Sequence, residues 1–217
     1  NLAGKKLLIL GGNPETGVLV KIANTLGVFT IVIDPNSKSP AKQFAKKHYN
    51  IDGFDIDNLT RVAKDEKVDG VLVGVADILV KPYYQLCEEL ELPCYATLNI
   101  IDALCCKDGF MEACNIYGIQ TIPSFSLDKN FNTKDLKKIQ YPVIVKPVDN
   151  GGGVGISICY NKDELIKGSK NAIKNSRKKL FITERYMKCD DIVAYYTFQD
   201  GEIYLSAIAD RITTKKQ

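Results

Sequence analysis

A single lysine interrupts an apolar run in the second half of the chain. Lys146 follows Val143, Ile144 and Val145, and residues 151–155, four of which are glycine, come shortly afterwards. Strand alternation places Lys146 on the same face as Ile144, so its ammonium points toward the interior or a cleft. A desolvated ammonium needs a partner, and a nucleotide polyphosphate under a glycine hairpin would supply one. The alternatives are an ion pair with an interior carboxylate and a lysine that snorkels from the sheet edge.

Another strand-like run contains a carboxylate and leads into an acidic turn. Glu184 lies in this run, and Asp190 and Asp191 lie in the turn that follows. A strand end offers backbone N–H and C=O groups to an adenine edge, and a nearby carboxylate can accept hydrogen bonds from ribose hydroxyls. A solvated acidic turn is the alternative for the two aspartates.

A glycine turn also lies near the start of the chain. Gly12 and Asn13 follow the first apolar run and open a helix, whose N-terminus favours an anion. The turn is not a Walker A loop, because Val18 stands where a lysine should follow Gly17, and it is not a G-x-G-x-x-G fingerprint. An ordinary strand-to-helix turn is the alternative.

Three further charged residues are candidate substrate contacts. Asp34 and Asp77 follow two predicted strands, where a carboxylate could accept hydrogen bonds from a hydroxyl or an amine. Asp34 could equally cap the turn that begins at Pro35. Arg211 could face a substrate or form a surface ion pair with Asp210. Together with Gly12 and Asn13, these residues form the candidate substrate set.

The elements that would position these residues change character near residue 98. Apolar runs that alternate with helical periodicity predict a parallel sheet covered on both faces, hence a doubly wound α/β domain over residues 1–98. Asp57 or Asn58 is expected near one helix cap. The predicted strands are residues 6–10, 29–33, 48–51, 70–74 and 93–95, and the predicted helices are residues 16–26, 40–47, 57–66 and 78–90.

Residues 99–217 indicate an antiparallel α+β region. Asp200 and Gly201 form a two-residue hairpin turn between two of its strands. The predicted helices are residues 99–105, 107–117 and 162–176, and the predicted strands are residues 124–127, 141–146, 155–160, 180–185, 192–199 and 202–208.

The composition excludes several classes of protein. The 217 residues include 45% hydrophobic and 25% charged residues, and the net charge is only +3, which argues against a dedicated nucleic-acid binder. No apolar run reaches the roughly 20 residues of a membrane helix. Seven cysteines without metal-ligand spacing predict reduced, buried thiols in a cytoplasmic protein. His48 is the only histidine, which excludes a histidine-based hydrolytic triad.

The order and spacing of three segments resembles the ATP-grasp superfamily, and in particular proteins similar to the large subunit of carbamoyl-phosphate synthase. These segments are Lys107 at a helix start, Lys146 with the glycines of residues 151–155, and the run from Glu184 to Met187 followed by Asp191. The first glycine turn, Asp34-Pro35 and residues 74–77 are similar to the N-terminal domain of such ligases. The resemblance therefore spans nearly the whole chain.

The resemblance implies a fold and a nucleotide site. Residues 1–98 would be a Rossmann-like pre-ATP-grasp domain, and residues 99–217 an ATP-grasp region whose glycine-rich lid covers about residues 123–185. The implied contacts are Lys107 and Lys146 with the α- and β-phosphates, Gly151, Gly152, Gly153 and Gly155 with the β- and γ-phosphates, Glu184, Tyr186 and Met187 with adenine, and Asp191 with ribose.

The implied activity is ATP-dependent ligation with Mg²⁺: a carboxylate becomes an acyl phosphate, which an amine or similar nucleophile attacks. Two departures stand out. Asp191 replaces the commoner glutamate, and the family's metal carboxylates are expected beyond residue 217, so this chain alone is expected to be incomplete and inactive. A non-catalytic nucleotide-binding module and a Rossmann-type oxidoreductase are the alternatives. The identities of the carboxylate and amine, and a homodimer, are left open.

Overall fold

The computed structural model of the protein describes residues 2–127 and 136–212. Within these residues no helix is both long and apolar enough to cross a membrane.

The first half of the chain is built on a four-stranded parallel sheet. The strand order is β3-β2-β1-β4, with all three pairings parallel. Its strands are β1 (Lys6–Leu10), β2 (Phe29–Ile33), β3 (Lys47–Tyr49) and β4 (Gly70–Val73), and its helices are α1 (Pro14–Thr25), α2 (Ile56–Glu66) and α3 (Val80–Glu89), with 3-10 helices at Pro40–Phe44 and Asp77–Leu79.

Two apolar cores cover the two faces of this sheet. Leu8 and Leu10 of β1 pack in a cluster with residues of α2 and α3. Ile9, between them, packs on the opposite face with residues of α1 and the first 3-10 helix. All three side chains are fully buried. The continuous apolar runs that predicted a sheet covered on both faces are explained by this arrangement.

Three local predictions for the first half differ from the structure. Residues 40–47 form no continuous helix: a 3-10 helix spans Pro40–Phe44, and Lys47 already belongs to β3. Residues 93–95 form no strand: no neighbouring strand pairs with them, and Tyr95 instead stacks on Tyr83 with 4.8 Å between ring centroids. Helix α2 is capped by Asp55, whose carboxylate accepts a hydrogen bond from the backbone N–H of Asn58 at 3.2 Å. The cap therefore lies two residues before Asp57, because a cap must precede the first helical residue.

The second half is an antiparallel sheet with flanking helices and a separate hairpin. The sheet order is β5-β8-β6-β7, and β9 and β10 form the hairpin. The helices are α4 (Leu98–Leu104), α5 (Lys107–Ile116) and α6 (Lys162–Lys174), and the strands are β5 (Ser124–Phe125), β6 (Val143–Pro147), β7 (Ser157–Cys159), β8 (Phe181–Arg185), β9 (Ile192–Gln199) and β10 (Glu202–Asp210).

The β9–β10 hairpin turns at the predicted two residues. Asp200 and Gly201 have φ values of 53° and 83°, which match the left-handed conformations that a two-residue hairpin of this type requires. Several apolar side chains of the hairpin remain more than half exposed, among them Phe198 at 73% and Ile203 at 62%.

The cysteines depart from the prediction of uniformly buried thiols. All seven are free, but Cys105 and Cys189 are exposed, while Cys87, Cys114 and Cys159 are buried. Burial raises the pKa of the Cys87 thiol to about 12 and that of Cys159 to about 11, so these two behave as apolar side chains.

Candidate functional site

A cavity of about 1140 Å³ is lined by both halves of the chain. The first half contributes residues 75–78, and the second half contributes the start of α5, the end of β6 and part of the glycine loop, residues 151–155. Of the residues predicted from sequence, the cavity is lined by Asp77, Lys107, Lys146, Gly151, Gly152, Gly153, Glu184 and Arg211. These eight come from segments far apart in sequence.

Lys146 faces the cavity because β6 alternates. Val143 and Val145 are fully buried in the core, which turns Ile144 and Lys146 to the opposite face. Ile144 pairs with Glu184 of β8, so Glu184 lies on the same face as the lysine. The Lys146 Nζ is 2.6 Å from Glu184 Oε2, and the two side chains are only 21% and 8% exposed. Of the three interpretations that the sequence allows for Lys146, the structure shows the ion pair with an interior carboxylate.

Lys107 is the second cation of the cavity. It begins α5 directly after Cys106, and its backbone N–H donates to the carbonyl of Val148 at 3.2 Å. Its Nζ donates to the carbonyl oxygen of Asn150 at 2.6 Å. Burial, with a smaller contribution from the nearby Lys146 ammonium, lowers the pKa of Lys107 below its usual value. Two positive charges therefore lie near one another beside the glycine loop.

The glycine loop has an open part and a packed end. Nothing lies within 4 Å of a Cβ built at Gly151, Gly152 or Gly153, and the latter two have φ values of 63° and 77°. Gly155 does not line the cavity: a Cβ there would lie 2.8 Å from both Asn175 and Pro147, and its φ is 79°. The open part can approach a ligand closely through its backbone, while Gly155 fixes where the loop ends.

The first glycine turn lies outside this cavity and has structural partners. A Cβ on Gly12 would lie 1.7 Å from the Ser39 hydroxyl oxygen, so the close approach there is to the protein itself. Asn13 caps α1 by accepting a hydrogen bond from the Thr16 N–H at 2.9 Å, and its side-chain amide donates to the Val75 carbonyl at 2.6 Å. Asn13 thus supports the loop that carries the cavity wall.

Asp34 also lies outside the cavity. Its carboxylate accepts a hydrogen bond from the backbone N–H of Asn36 at 2.8 Å, which is the turn-capping role left open by the sequence.

Three further predicted nucleotide contacts, Tyr186, Met187 and Asp191, do not line the cavity. The Tyr186 N–H donates a hydrogen bond to the Pro142 carbonyl at 3.0 Å, so this backbone N–H already has a partner within the protein. Met187 is 42% exposed. Asp191 is 4.0 Å from the guanidinium of Arg211, and its carbonyl accepts a hydrogen bond from the Arg211 N–H at 2.8 Å. Asp191 therefore reaches the cavity edge through Arg211, which lines it.

Sequence reasoning missed the residues that hold the base of the glycine loop. Asn150 donates from its side-chain amide to the Asn175 carbonyl at 2.9 Å, and Asp149 accepts a hydrogen bond from the Lys178 N–H at 2.8 Å. An Asp-Asn pair directly before a glycine run was the available signal, since both residues bond to nearby backbone in turns.

One family model matches the part of the chain that carries most of the cavity lining. Residues 107–202 match the family model described as "Carbamoyl-phosphate synthase L chain, ATP binding domain". The matched segment contains both lysines, the glycine loop and Glu184. The chain is related to the ATP-grasp ligases.

Individual ATP-grasp relatives extend the match into the first half. A formate-dependent phosphoribosylglycinamide formyltransferase from Sulfurisphaera tokodaii is 27% identical over 202 residues, which cover 90% of this chain and 50% of the relative. The chain spans about half the length of the curated relatives that it matches first.

Solved structures share the fold. An N5-carboxyaminoimidazole synthetase from Staphylococcus aureus, complexed with ADP, matches with a TM-score of 0.77 at 18% identity, covering 98% of this chain and 56% of that one. The biotin carboxylase domain of Hydrogenobacter thermophilus 2-oxoglutarate carboxylase, in complex with MgADP, ADP and bicarbonate, matches with a TM-score of 0.76 at 22% identity, covering 95% and 50%. The mixed parallel and antiparallel α/β architecture is therefore that of ATP-grasp structures.

Among residues 2–127 and 136–212, no three histidine, cysteine, aspartate or glutamate side chains come together in a way that could hold a metal ion. In the cavity, Glu184 is paired with Lys146, and Asp149 accepts the Lys178 N–H. Both carboxylates therefore have a partner within the protein.

Proposed function

We propose that this chain provides the ATP-binding part of a ligase that activates a carboxylate as an acyl phosphate for attack by an amine or similar nucleophile. The observation that carries the proposal is the cavity in which Lys107, Lys146 and the open glycines meet. Two ammonium groups and free backbone N–H groups suit a polyphosphate, because they offset its charge without a large rearrangement.

In this proposal the nucleotide replaces contacts that the protein makes with itself. Lys146 exchanges Glu184 for a phosphate oxygen, and Lys107 exchanges the Asn150 carbonyl for another. The open loop residues Gly151, Gly152 and Gly153 cover the β- and γ-phosphates as a lid, while Gly155 anchors its end. Adenine contacts the Glu184 side chain, the Tyr186 carbonyl and the Met187 backbone, and the ribose hydroxyls contact Asp191.

The chemistry consists of two transfers. A carboxylate oxygen attacks the γ-phosphorus, the bond to the β–γ bridging oxygen breaks, and ADP leaves. The amine then attacks the acyl carbon, inorganic phosphate leaves, and the amine loses a proton. This chain contributes position and charge neutralisation, which are the main catalytic terms in phosphoryl transfer. Asp77 and Arg211 line the cavity and would contact the substrate, whereas Gly12, Asn13 and Asp34 would act through the structure of the first half.

The division into domains belongs to the same proposal. Residues 1–98 correspond to a Rossmann-like pre-ATP-grasp domain and residues 99–217 to the ATP-grasp region with a lid over about residues 123–185. Part of that lid lies outside the described residues. The parallel order β3-β2-β1-β4 and the two covered faces support the first assignment.

Replacing Lys146 tests the nucleotide site. We expect Lys146→Ala to weaken ATP binding about ten- to hundredfold in calorimetry, because it removes one charge-assisted phosphate contact. Lys170→Ala is the matched control, since Lys170 is an exposed residue of α6 outside the cavity. Lys178, which also reads as a surface lysine in the sequence, is unsuitable because it pairs with Asp108 beside Lys107.

A second variant separates binding from folding. Lys146→Ala leaves the buried Glu184 without its cation, which destabilises the protein by itself. Lys146→Met combined with Glu184→Gln removes both charges and should keep the thermal midpoint nearer to that of the wild type while still weakening ATP binding. Equal ATP affinities for Lys146→Ala and Lys170→Ala would contradict the site. ADP and phosphate release by the full-length protein, across a panel of carboxylates and amines, tests the reaction.

A further inference from the structure

The turn after α6 contacts both ends of the glycine loop and the first turn of α5. We call residues 175–179 the clasp. Its Asn175 carbonyl accepts a hydrogen bond from Asn150 at 2.9 Å, and its Lys178 N–H donates to Asp149 at 2.8 Å. Both bonds hold the two residues that directly precede the glycine loop. The close approach of Asn175 to Gly155 holds the other end of the loop.

The clasp also holds the helix that carries Lys107. The Lys178 ammonium lies 3.1 Å from Asp108 in the first turn of α5. Asp108 is the residue next to Lys107, whose own ammonium donates to Asn150 at the loop base. One lysine of the clasp thus binds the loop through its backbone and α5 through its side chain.

A third contact joins the clasp to the first half of the chain. The Arg177 guanidinium lies 3.5 Å from the centroid of the Phe54 ring, in a cation–π contact. Phe54 follows Gly53, where a Cβ would lie 2.6 Å from Leu79. Leu79 ends the 3-10 helix that begins at Asp77 on the cavity wall.

Hydrogen bonds from the clasp to Asp149 connect the clasp to the base of the glycine loop and affect the pKa of this carboxyl. Burial alone would raise the pKa of this carboxyl, but hydrogen bonds from Ser176 and from the backbone N–H groups of Lys178 and Arg177 hold it below its usual value. The carboxylate is therefore retained in its charged form at the base of the loop.

We propose that Arg177 and Lys178 are positioning residues, which set the glycine loop and Lys107 at a fixed distance from each other and from the cavity wall of the first half. Neither residue lines the cavity. Their role in ATP binding rests on the function proposed above, whereas their role in ordering the loop does not. Loss of the two side chains should increase the mobility of the glycine loop in the nucleotide-free protein. It should also weaken binding of the β- and γ-phosphates.

The test uses two double variants that differ only in charge retention. Arg177→Ala with Lys178→Ala removes both contacts, while Arg177→Lys with Lys178→Arg keeps a cation over Phe54 and another beside Asp108. Lys170→Ala is the surface control. The first readout is amide hydrogen exchange of residues 149–155 in the nucleotide-free protein, compared with that of β1. The second is the ratio of the AMP and ATP dissociation constants, because AMP lacks the phosphates that the loop would cover.

The alanine pair should speed exchange of residues 149–155 about three- to tenfold, with β1 unchanged, and lower the ATP preference by a similar factor. The charge-retaining pair should restore both. Unchanged loop exchange in the alanine pair overturns the proposal, as does faster loop exchange with an unaltered ATP preference. If the wild type binds neither nucleotide, the proposed function fails, and the exchange data alone decide whether the clasp orders the loop.

Discussion

In the proposed nucleotide site, Lys107 should make ATP affinity sensitive to alkaline pH. Its pKa lies below the ordinary 10.5, mainly because of burial and then because of Lys146. A phosphate stabilises the protonated form, so the pKa in the complex is higher than in the free protein. ATP affinity should therefore be constant below the free-state pKa of Lys107 and fall as the pH rises through it, at a pH below 10.5.

Substituting arginine at position 107 distinguishes the titration of Lys107 from that of other groups. The arginine side chain stays charged over this pH range. The ATP affinity of Lys107→Arg should therefore decline less between pH 8 and about pH 10 than that of the wild type. Calorimetric titrations of both proteins across that range check the expectation. Parallel pH profiles for the two proteins would show that Lys107 is not in contact with phosphate.

For individual residues, the sequence predicted which side chains face a cleft better than it predicted the partners of those side chains. The alternation Val143–Lys146 was enough to turn the lysine away from the core, since strand geometry is local. The choice of Glu184 as its partner depended on the pairing of β6 with β8, nearly forty positions apart, which no local pattern encodes. The contacts of Lys178 with Asp108 and Asp149 were missed for the same reason.

Among the elements, the glycine loop should tolerate change at one end and not at the other. Gly155→Ala places a Cβ 2.8 Å from Asn175 and Pro147 at a φ of 79°, and should destabilise the protein by about 1–3 kcal/mol. Gly151→Ala, with open space and no positive φ, should change stability by less than about 1 kcal/mol. Urea unfolding of the two variants gives the comparison. Equal losses would mean that the loop end is not fixed by Gly155.

Most elements followed from the sequence because their signals are local. Apolar runs marked β1, β2 and β4, and Asp200-Gly201 marked the hairpin turn. Residues 93–95 failed because a strand needs a partner, and the chain there packs Tyr95 on Tyr83 instead. The position of the α2 cap was missed by two residues, since several polar residues in a row could each cap a helix.

For the molecule as a whole, a ligand in the cavity should stabilise both halves together. The wall includes residues 75–78 as well as β6 and α5, so the bound state requires both to be folded. At a free ATP concentration of 100 times its dissociation constant, the free energy of unfolding should rise by about 2.7 kcal/mol. Hydrogen exchange of β4 and β6, with and without ATP, measures the effect in each half.

Lys146→Ala at the same ATP concentration should lose most of this gain in both strands. Protection that rises in β6 alone would mean that the first half does not contribute to the nucleotide site.

The overall arrangement of a parallel sheet followed by an antiparallel one could be predicted from the sequence. The cavity between distant segments could not, because it depends on how those segments pack.

The chain contains no tryptophan, and Gly151 stands in open space in the first position of the glycine loop, where it lines the cavity. An indole introduced there would be the only one among these 217 residues. Its emission would report the local solvent exposure of position 151, and the rate of a blue shift on mixing with nucleotide would measure the proposed closing of the loop.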